Sequence, residues 1–321
     1  MIAKDNQRKE YLFRIYNVQD YIENNITSKF TLEELASVAN FSKFHFHRIF
    51  VAIIGETLSS YILRIRLEKA ATLLIHCPNT PLTEIWLDCG FSSSSAFARA
   101  FKEKFGISAS SWRKEKLKEF SNIGQTHSNL SEVSAKLSEY FGDVHLTKNG
   151  VAKMKEIINP KKVEVKPIDE FTVAYIRYIG PYKGNSDLFE NLFTRLFNWA
   201  MPKNLCQFPQ TKVLSIYHDN PDITDDDKLR TSVCISVPDD TEVGGEIGKM
   251  KVAGTKYAIA SFELSGAPDY EKAWNYIFSE WLPTSGYQPD NNPCFELYLN
   301  NPEEHPEKKH IVDIYVPVKN M

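Results

Sequence analysis

The chain repeats itself twice, with a different period in each half. Phe41-Ser42 recurs as Phe91-Ser92. Arg48-Ile49-Phe50 recurs as Arg99-Ala100-Phe101, again about 50 residues later. From Phe171 onward, a second self-similarity has a period of about 80 residues. A length of 321 residues leaves room for two domains of ordinary size. The two periods therefore predict two domains, each built from two like units.

Each unit of the first half has the apolar spacing of two short helices joined by a turn. Residues 31–34 fit a capping box, and Asn40 and Gly90 stand at the turns, where a left-handed backbone is needed. Between the units, residues 56–75 show one long helical pattern. We therefore expect an all-α domain over residues 8–118, in which a long helix joins two helix-turn-helix units.

The second helix of each unit has an outward face suited to nucleic acid. The predicted outward residues are Lys43, Phe44, His47 and Arg48 in the first unit and Ser94, Ser95, Arg99 and Lys102 in the second. Basic and hydroxyl side chains reach phosphates and base edges in a duplex. Residues 1–118 carry a net charge of +5 and the remainder −8, so we expect a polyanion to meet the first half. The alternative is an ordinary amphipathic surface of a helical bundle.

The second half combines β-strands with helices. The order strand, helix, strand, strand occurs twice, with the helix over residues 188–199 in the first copy and 272–281 in the second. This order predicts an α+β domain of two like modules over residues 160–321. The polar residues 119–159 between the domains are interpreted as a linker.

One position breaks the symmetry of the second repeat, because Ser215 in the first copy corresponds to Glu296 in the second. A carboxylate among apolar neighbours is costly unless it has a partner. Ligands of domains built from two like halves tend to occupy the groove where the halves meet. We predict that Glu296 forms the floor of an aromatic groove for a cationic or amphipathic small molecule. The candidate wall residues are Tyr182, Tyr270, Trp274 and Tyr298.

Other interpretations of these residues stay open. Glu296 can be salt-bridged or directed to water, and each aromatic residue can belong to the core. Strand alternation places Phe295, Leu297 and Leu299 on the face opposite to Glu296. We expect that opposite face to lie beneath the helix of the module.

The first half contains a characteristic set of motifs, namely Leu35-Ala36, Phe41-Ser42-Lys43-Phe44-His45, Gly90-Phe91-Ser92-Ser93, Phe97-Ala98-Arg99-Ala100-Phe101-Lys102 and Phe105-Gly106. Through these residues it resembles the AraC/XylS family of transcription factors. The resemblance covers residues 12–114 and departs from the family at two scaffold positions, Trp86 and Ala109. It implies that one chain places two recognition helices in successive major-groove segments of promoter double-stranded DNA. It also implies RNA polymerase as a partner.

The second half contains a further set of short motifs, namely Leu229-Arg230, Trp281-Leu282-Pro283, Ser285-Gly286-Tyr287, Phe295-Glu296, Tyr298-Leu299-Asn300 and Tyr315-Val316-Pro317. Through these residues it resembles the GyrI-like small-molecule-binding domain over residues 160–319. The resemblance implies an effector module for hydrophobic or amphipathic, often cationic, molecules. The family's acidic ligand-binding residue aligns with Glu296, and an aromatic pocket residue aligns with Tyr270. Some stand-alone members look hydrolytic and use the equivalent glutamate.

Several functional classes lack support in the sequence. No stretch approaches 18 consecutive apolar residues, and the N-terminus lacks an apolar signal region. We therefore expect a cytoplasmic protein without membrane contact. The five cysteines are scattered, which indicates reduced thiols. Metal-ligand spacings, a phosphate loop and a serine triad are all missing, so we predict no metal, no cofactor and no catalytic residue.

The combined interpretation is a DNA-binding transcriptional regulator, not an enzyme, that senses a small hydrophobic or cationic molecule through its C-terminal domain. One alternative is a regulator whose C-terminal groove is vestigial or contacts another protein. The other is a GyrI-like hydrolase or drug-sequestering protein with DNA binding attached.

Overall fold

The computed structural model describes residues 2–118, 157–290 and 292–320, without the side chains of residues 2–8, 44 and 283. The predicted linker, residues 119–159, lies outside this part of the chain except for its last three residues. The first range contains helices α1 (Ile2–Asn24), α2 (Leu32–Val38), α3 (Lys43–Ile54), α4 (Leu58–His76), α5 (Leu82–Asp88) and α6 (Ser94–Phe105), followed by helical residues 109–118 (α7). No helix in the described ranges combines the length and the apolar character needed to cross a bilayer.

Helices α2 and α3 form the first helix-turn-helix unit. The capping box is present, because the Thr31 hydroxyl accepts from the Glu34 amide and the Glu34 carboxylate accepts from the Thr31 amide. Asn40 turns the chain with a φ of 51°. Phe46 and Phe50 of α3 are fully buried in the core of this unit. Their burial leaves the opposite face of α3 outside the core.

Helices α5 and α6 form the second unit. Gly90 occupies its turn with a φ of 77°, and a Cβ added there would lie 2.5 Å from the Ile26 carbonyl oxygen. The turn therefore needs glycine both for its backbone angle and for its close approach to the chain before α2. Phe97 and Phe101 of α6 are buried, and the partly buried Trp112 of α7 packs against Phe101.

Helix α4 connects the two units. Tyr61 and Ile65 near its start belong to the core of the first unit, while Leu73 and Leu74 near its end belong to the core of the second. The prediction of two helix-turn-helix units joined by a long helix is confirmed.

The second part of the chain contains one antiparallel sheet. Its strands, within the described residues, are β1 (Lys162–Pro167), β2 (Phe171–Ile179), β3 (Val213–Tyr217), β4 (Arg230–Ser236), β5 (Gly248–Val252), β6 (Lys256–Leu264), β7 (Tyr287–Pro289), β8 (Cys294–Tyr298) and β9 (His310–Asn320). Their order is β1-β6-β9-β8-β3-β4-β2-β5, with β7 paired to β9. Helix α8 (Ser186–Ala200) follows β2, and α9 (Ala267–Asn275) follows β6. The α+β prediction is confirmed.

The two modules of the sheet exchange their first strands. β1 precedes the first module but pairs with β6 of the second, and β5 precedes the second module but pairs with β2 of the first. The sequence repeat predicted neither of these edge strands nor β7. The modules meet where β3 pairs with β8, and there Ser215 lies directly opposite Glu296. The position that breaks the repeat therefore lies at the junction of the two modules.

Helices α8 and α9 cover the face of the sheet that carries Glu296. Leu192 of α8 packs with Val233, and Ala273 of α9 packs with Ile314. In the strand register, Val233 pairs with Ser215, and Ile314 pairs with Glu296.

The expectation that Phe295, Leu297 and Leu299 lie beneath the helix is therefore wrong. Phe295 packs on Tyr257 and Tyr315, on the sheet face away from α8 and α9. Strand alternation separates the residues into two faces, but it carries no information about which face the helices cover.

The all-α domain packs on the sheet face opposite to α8 and α9. The Asp20 carboxylate of α1 lies 2.6 Å from the Arg177 guanidinium of β2 and accepts a hydrogen bond from the Tyr175 hydroxyl. Lys9 lies 3.4 Å from Glu246, which precedes β5. The sheet thus has the helices of its own domain on one face and α1 on the other.

Candidate functional site

The outward face of α3 is polar and exposed. Lys43, His47 and Arg48 are exposed, whereas the side chain of Phe44 is not among those that the structure describes. The Lys43 ammonium lies 3.3 Å from the Glu33 carboxylate of α2. DNA phosphates would compete with this carboxylate for Lys43.

The outward face of α6 repeats this arrangement. The exposed side chains are Ser94, Ser95, Arg99 and Lys102. The Ser93 hydroxyl accepts from the Ala96 amide and caps the helix. Lys102 and Lys104 occupy its last turn. Both second helices therefore present their candidate residues to solvent, and the contact of these residues with DNA remains a prediction.

The second candidate site is the Glu296 groove, which we define by Glu296, Tyr182, Tyr217, Tyr270, Trp274 and Tyr298. The Glu296 side chain is buried, with 2% of the residue exposed. Trp274 donates its indole N–H to Glu296 Oε1 at 2.6 Å. The hydroxyls of Tyr217 and Tyr298 donate to Oε2, each at 2.9 Å. Among the described residues, Glu296 is held by neutral donors and forms no ion pair.

Burial sets the protonation of this cluster. Burial raises the pKa of Glu296, against the hydrogen bonds from Trp274, Tyr217 and Tyr298, which favour the ionised carboxylate. Burial and the neighbouring carboxylate also raise the pKa of Tyr217 and Tyr298. Both tyrosines therefore stay neutral donors, and an ionised Glu296 meets no compensating cation within the described part of the chain.

All five predicted ligand-binding residues line one cleft, together with Tyr217. The Tyr182 ring lies 5.5 Å from the Tyr217 ring, without a hydrogen bond to Glu296. The Tyr270 hydroxyl is hydrogen-bonded to His310 Nδ1 at 2.8 Å, so Tyr270 lines the groove through its ring and its hydroxyl is directed to His310 instead of Glu296. The sequence prediction omitted Tyr217. The signal was available, because Tyr217 occupies the same place in the repeat as Tyr298.

The groove continues as an apolar surface along α8. The Phe193 ring meets Tyr298 edge-on at 5.7 Å, and Phe197 lies 6.0 Å beyond Phe193. Phe208 follows at 6.3 Å and is 57% exposed, as is Met201 at the end of α8. A molecule with a charged or polar end at Glu296 would thus find apolar side chains along one side.

Within residues 2–118, 157–290 and 292–320, no group of three or more His, Cys, Asp or Glu side chains is arranged to hold a metal ion. What the described groove presents to a ligand is a buried carboxylate, aromatic rings and neutral hydrogen-bond donors.

Comparison with known families finds a separate match in each part of the chain. A model of the GyrI-like small molecule binding domain matches residues 161–319, and a model of a helix-turn-helix domain matches residues 35–115. The DNA gyrase inhibitor of Escherichia coli K12 is 33% identical over 144 residues, which cover 44% of this chain and 87% of the relative. The DNA gyrase inhibitor of Erwinia billingiae is 30% identical over 160 residues, or 49% of this chain and 96% of the relative.

Among solved structures, the EcmrR–DNA complex, determined by cryo-electron microscopy in EcmrR-RPo, is similar to this chain with a TM-score of 0.44 and 16% identity. The match covers 91% of this chain and 86% of EcmrR. The isolated C-terminal domain of EcmrR has a TM-score of 0.43 at 18% identity and covers 50% of this chain and 98% of that domain.

Proposed function

The chain belongs to the family of GyrI-like small molecule binding domains through residues 161–319, and we propose that an amphipathic cation in the Glu296 groove changes its binding to promoter DNA. It carries an AraC-type helix-turn-helix domain ahead of those residues, so it is a DNA-binding regulator with a small-molecule-binding domain. The proposal assigns DNA contact to α3 and α6 and ligand contact to the groove. It adds RNA polymerase as the partner at the promoter.

One observation carries the ligand part of the proposal: a buried carboxylate is held by three neutral donors inside aromatic walls. A buried charge without an opposite charge is unfavourable, and a cation placed there would relieve that penalty. Aromatic faces attract cations as well, by about 0.5–2 kcal/mol each. The apolar surface from Phe193 to Met201 favours a ligand with a long apolar part.

The DNA part of the proposal is supported by the matching exposure of α3 and α6. Arg48 and Arg99 stand at the same place in the two units, each six residues after the N-cap serine of its helix, and both are exposed. Two such helices on one chain can contact two major-groove segments without a dimer.

The experiment measures the effect of a probe cation on DNA affinity. Duplexes that bind the full chain are selected from a random library, and their affinity is measured by fluorescence anisotropy with and without saturating tetraphenylphosphonium. We expect the probe to change the dissociation constant by roughly 5- to 150-fold, the usual range for coupled sites. Tight probe binding with unchanged DNA affinity would instead indicate a protein that sequesters the ligand.

The same samples test for catalysis. The regulator proposal expects the probe, and an electrophilic ester supplied in parallel, to be recovered intact after incubation. Ester turnover that disappears in Glu296→Gln would contradict it and indicate a hydrolase.

A further inference from the structure

The loop between β3 and β4, residues 218–229, contacts the all-α domain and begins at the groove. Successive side chains of a strand point to opposite faces. Tyr217 at the end of β3 therefore faces Glu296, while His218 faces the all-α domain, where its Nδ1 lies 3.6 Å from the Glu23 carboxylate of α1. Because the two residues share one peptide unit, a backbone shift at Tyr217 also moves His218.

The base of this β3–β4 loop is fixed by a buried arginine. The Asp219 carboxylate accepts from the Arg230 amide at 2.8 Å, from its Nε at 2.9 Å and from its Nη2 at 2.5 Å. Arg230 also donates to the Tyr61 hydroxyl of α4 at 2.8 Å and is ion-paired with Glu23. The first residues of the loop are thereby tied to both α1 and α4.

The tip of the loop lies against the second helix-turn-helix unit. The Thr224 hydroxyl donates to Glu68 Oε2 of α4 at 3.0 Å, and both side chains are buried. Asp225 lies 3.5 Å from the Lys104 ammonium of α6, and Ile223 packs against the core of the unit. Since α4 joins the two units, the loop contacts the helix that sets their relative placement.

At the other end, Tyr217 is part of the groove wall. Its ring lies 5.5 Å from Tyr182 and 5.8 Å from Trp274, and its hydroxyl donates to the carboxylate that a cation would approach. Oε1 of Glu296 accepts from the Trp274 indole and Oε2 from the two tyrosine hydroxyls, so a ligand that contacts Oε2 closely must displace the hydroxyl of Tyr217 or of Tyr298. A ligand that displaces the Tyr217 hydroxyl acts directly on the β3–β4 loop.

We infer that the β3–β4 loop carries the effect of groove occupancy to α4, with Tyr217 as the residue that responds to the ligand and Thr224 as the contact that transmits the shift. The inference rests on the proposed function, because it specifies how the same site is regulated. The protein then has two states, one with Tyr217 hydrogen-bonded to Glu296 and one without this bond. The ligand interacts differently with the two states, and coupling between the groove and the DNA-binding helices requires such a difference.

The first test breaks the contact at the loop tip in the full chain. Thr224→Val removes the hydrogen bond to Glu68 at nearly constant volume, and Thr241→Val, in the loop between β4 and β5, is the control. For each protein, the DNA dissociation constant is measured with and without tetraphenylphosphonium, and the ratio of the two is compared with that of the wild type. This ratio should approach 1 in Thr224→Val and stay at the wild-type value in Thr241→Val. Probe affinity should stay unchanged in both. A wild-type ratio in Thr224→Val would overturn the inference and favour another route, such as the contact between Phe278 and His76, whose rings lie 5.2 Å apart.

The second test needs no ligand. Tyr217 and Tyr298 both donate to Glu296 Oε2 at 2.9 Å, but only Tyr217 leads into the β3–β4 loop. Tyr217→Phe should therefore accelerate amide hydrogen exchange in residues 218–229 and in α4, whereas Tyr298→Phe should leave both segments as in the wild type. Equal exchange in the two variants would overturn the inference.

The two tests separate the failure of the inference from that of the proposed function. If tetraphenylphosphonium does not bind the wild type, the ligand class proposed for the groove is wrong. The exchange comparison of the tyrosine variants then still decides whether the loop connects Glu296 to α4.

Discussion

Replacing Glu296 with glutamine tests the chemistry of the groove most directly. The substitution keeps the size of the side chain and one acceptor oxygen, and it removes the negative charge. The carboxylate is already buried in the folded chain, so its desolvation is not an additional cost of ligand binding. The affinity lost for a cation therefore reports mainly the attraction between the two charges.

The size of that loss follows from the distance and the surroundings. A quaternary centre about 5 Å from the carboxylate, at an effective dielectric constant of about 20, is attracted by about 3 kcal/mol. We therefore expect Glu296→Gln to weaken tetraphenylphosphonium binding by roughly 100-fold. Neutral triphenylphosphine oxide, which offers similar rings without the charge, should change by less than about threefold.

The pH dependence has a definite sign. Burial raises the pKa of Glu296, and the cation binds the ionised carboxylate. Affinity for tetraphenylphosphonium should therefore increase with pH until the carboxylate is fully ionised in the folded chain, with a proton released on binding. It should be independent of pH in Glu296→Gln. Because the pKa of Glu296 is higher in the folded chain than in the unfolded chain, the folded chain binds the proton more tightly. The ionisation of Glu296 therefore lowers the stability of the ligand-free protein as pH rises from the pKa of the unfolded chain through that of the folded chain.

Isothermal titration of both probes against the wild type, Glu296→Gln and a control variant provides the measurement. Glu271→Gln is the matched control, because Glu271 lines the same cleft but is exposed, where solvent screens its charge. Equal losses for the cationic and the neutral probe in Glu296→Gln would show that the carboxylate has a structural role and refute this reasoning.

Three further predictions concern DNA contact, domain packing and the turn of the second unit. Arg48→Ala and Arg99→Ala should each weaken binding of a selected duplex by roughly 1–3 kcal/mol in anisotropy titrations if the arginines contact bases, and unchanged affinity in both would remove the assignment of α3 and α6. Asp20→Asn should lower stability against urea by about 3–5 kcal/mol, because it leaves a fully buried guanidinium of β2 without its carboxylate, and a loss below about 1 kcal/mol would count against that account. Gly90→Ala should lower thermal stability by more than Gly55→Ala, because both glycines have positive φ but only at Gly90 would the added Cβ meet backbone atoms. Equal losses at the two glycines would rule out the steric part of that argument.

The order of the elements could be predicted from the sequence because both repeats carry clear periodicities. Helical spacing and the residues at the two turns predict the helix-turn-helix units, and alternation predicts the central strands. The edge strands β1 and β5 were not predicted, because each pairs with a strand of the other module and their exposed positions carry charged residues such as Lys162 and Lys249. A comparison of the two copies cannot reveal such an exchange.

The candidate groove was predictable in part. Glu296 stands out as the exception to the repeat, and the aromatic residues are conspicuous by type. Two facts depend on tertiary packing and have no local signal: which sheet face carries α8 and α9, and that Arg177 and Arg230 meet carboxylates of α1. A charged residue in an otherwise apolar strand, such as Arg177 in β2, indicates a buried partner but does not identify it.

Hydroxyl-radical footprinting of the full chain on a selected duplex tests the central claim that two helices of one chain contact one face of DNA. The account predicts two protected segments about one helical turn apart, roughly 10 base pairs, with one weakened in Arg48→Ala and the other in Arg99→Ala. A single protected segment, or loss of the same segment in both variants, would contradict it.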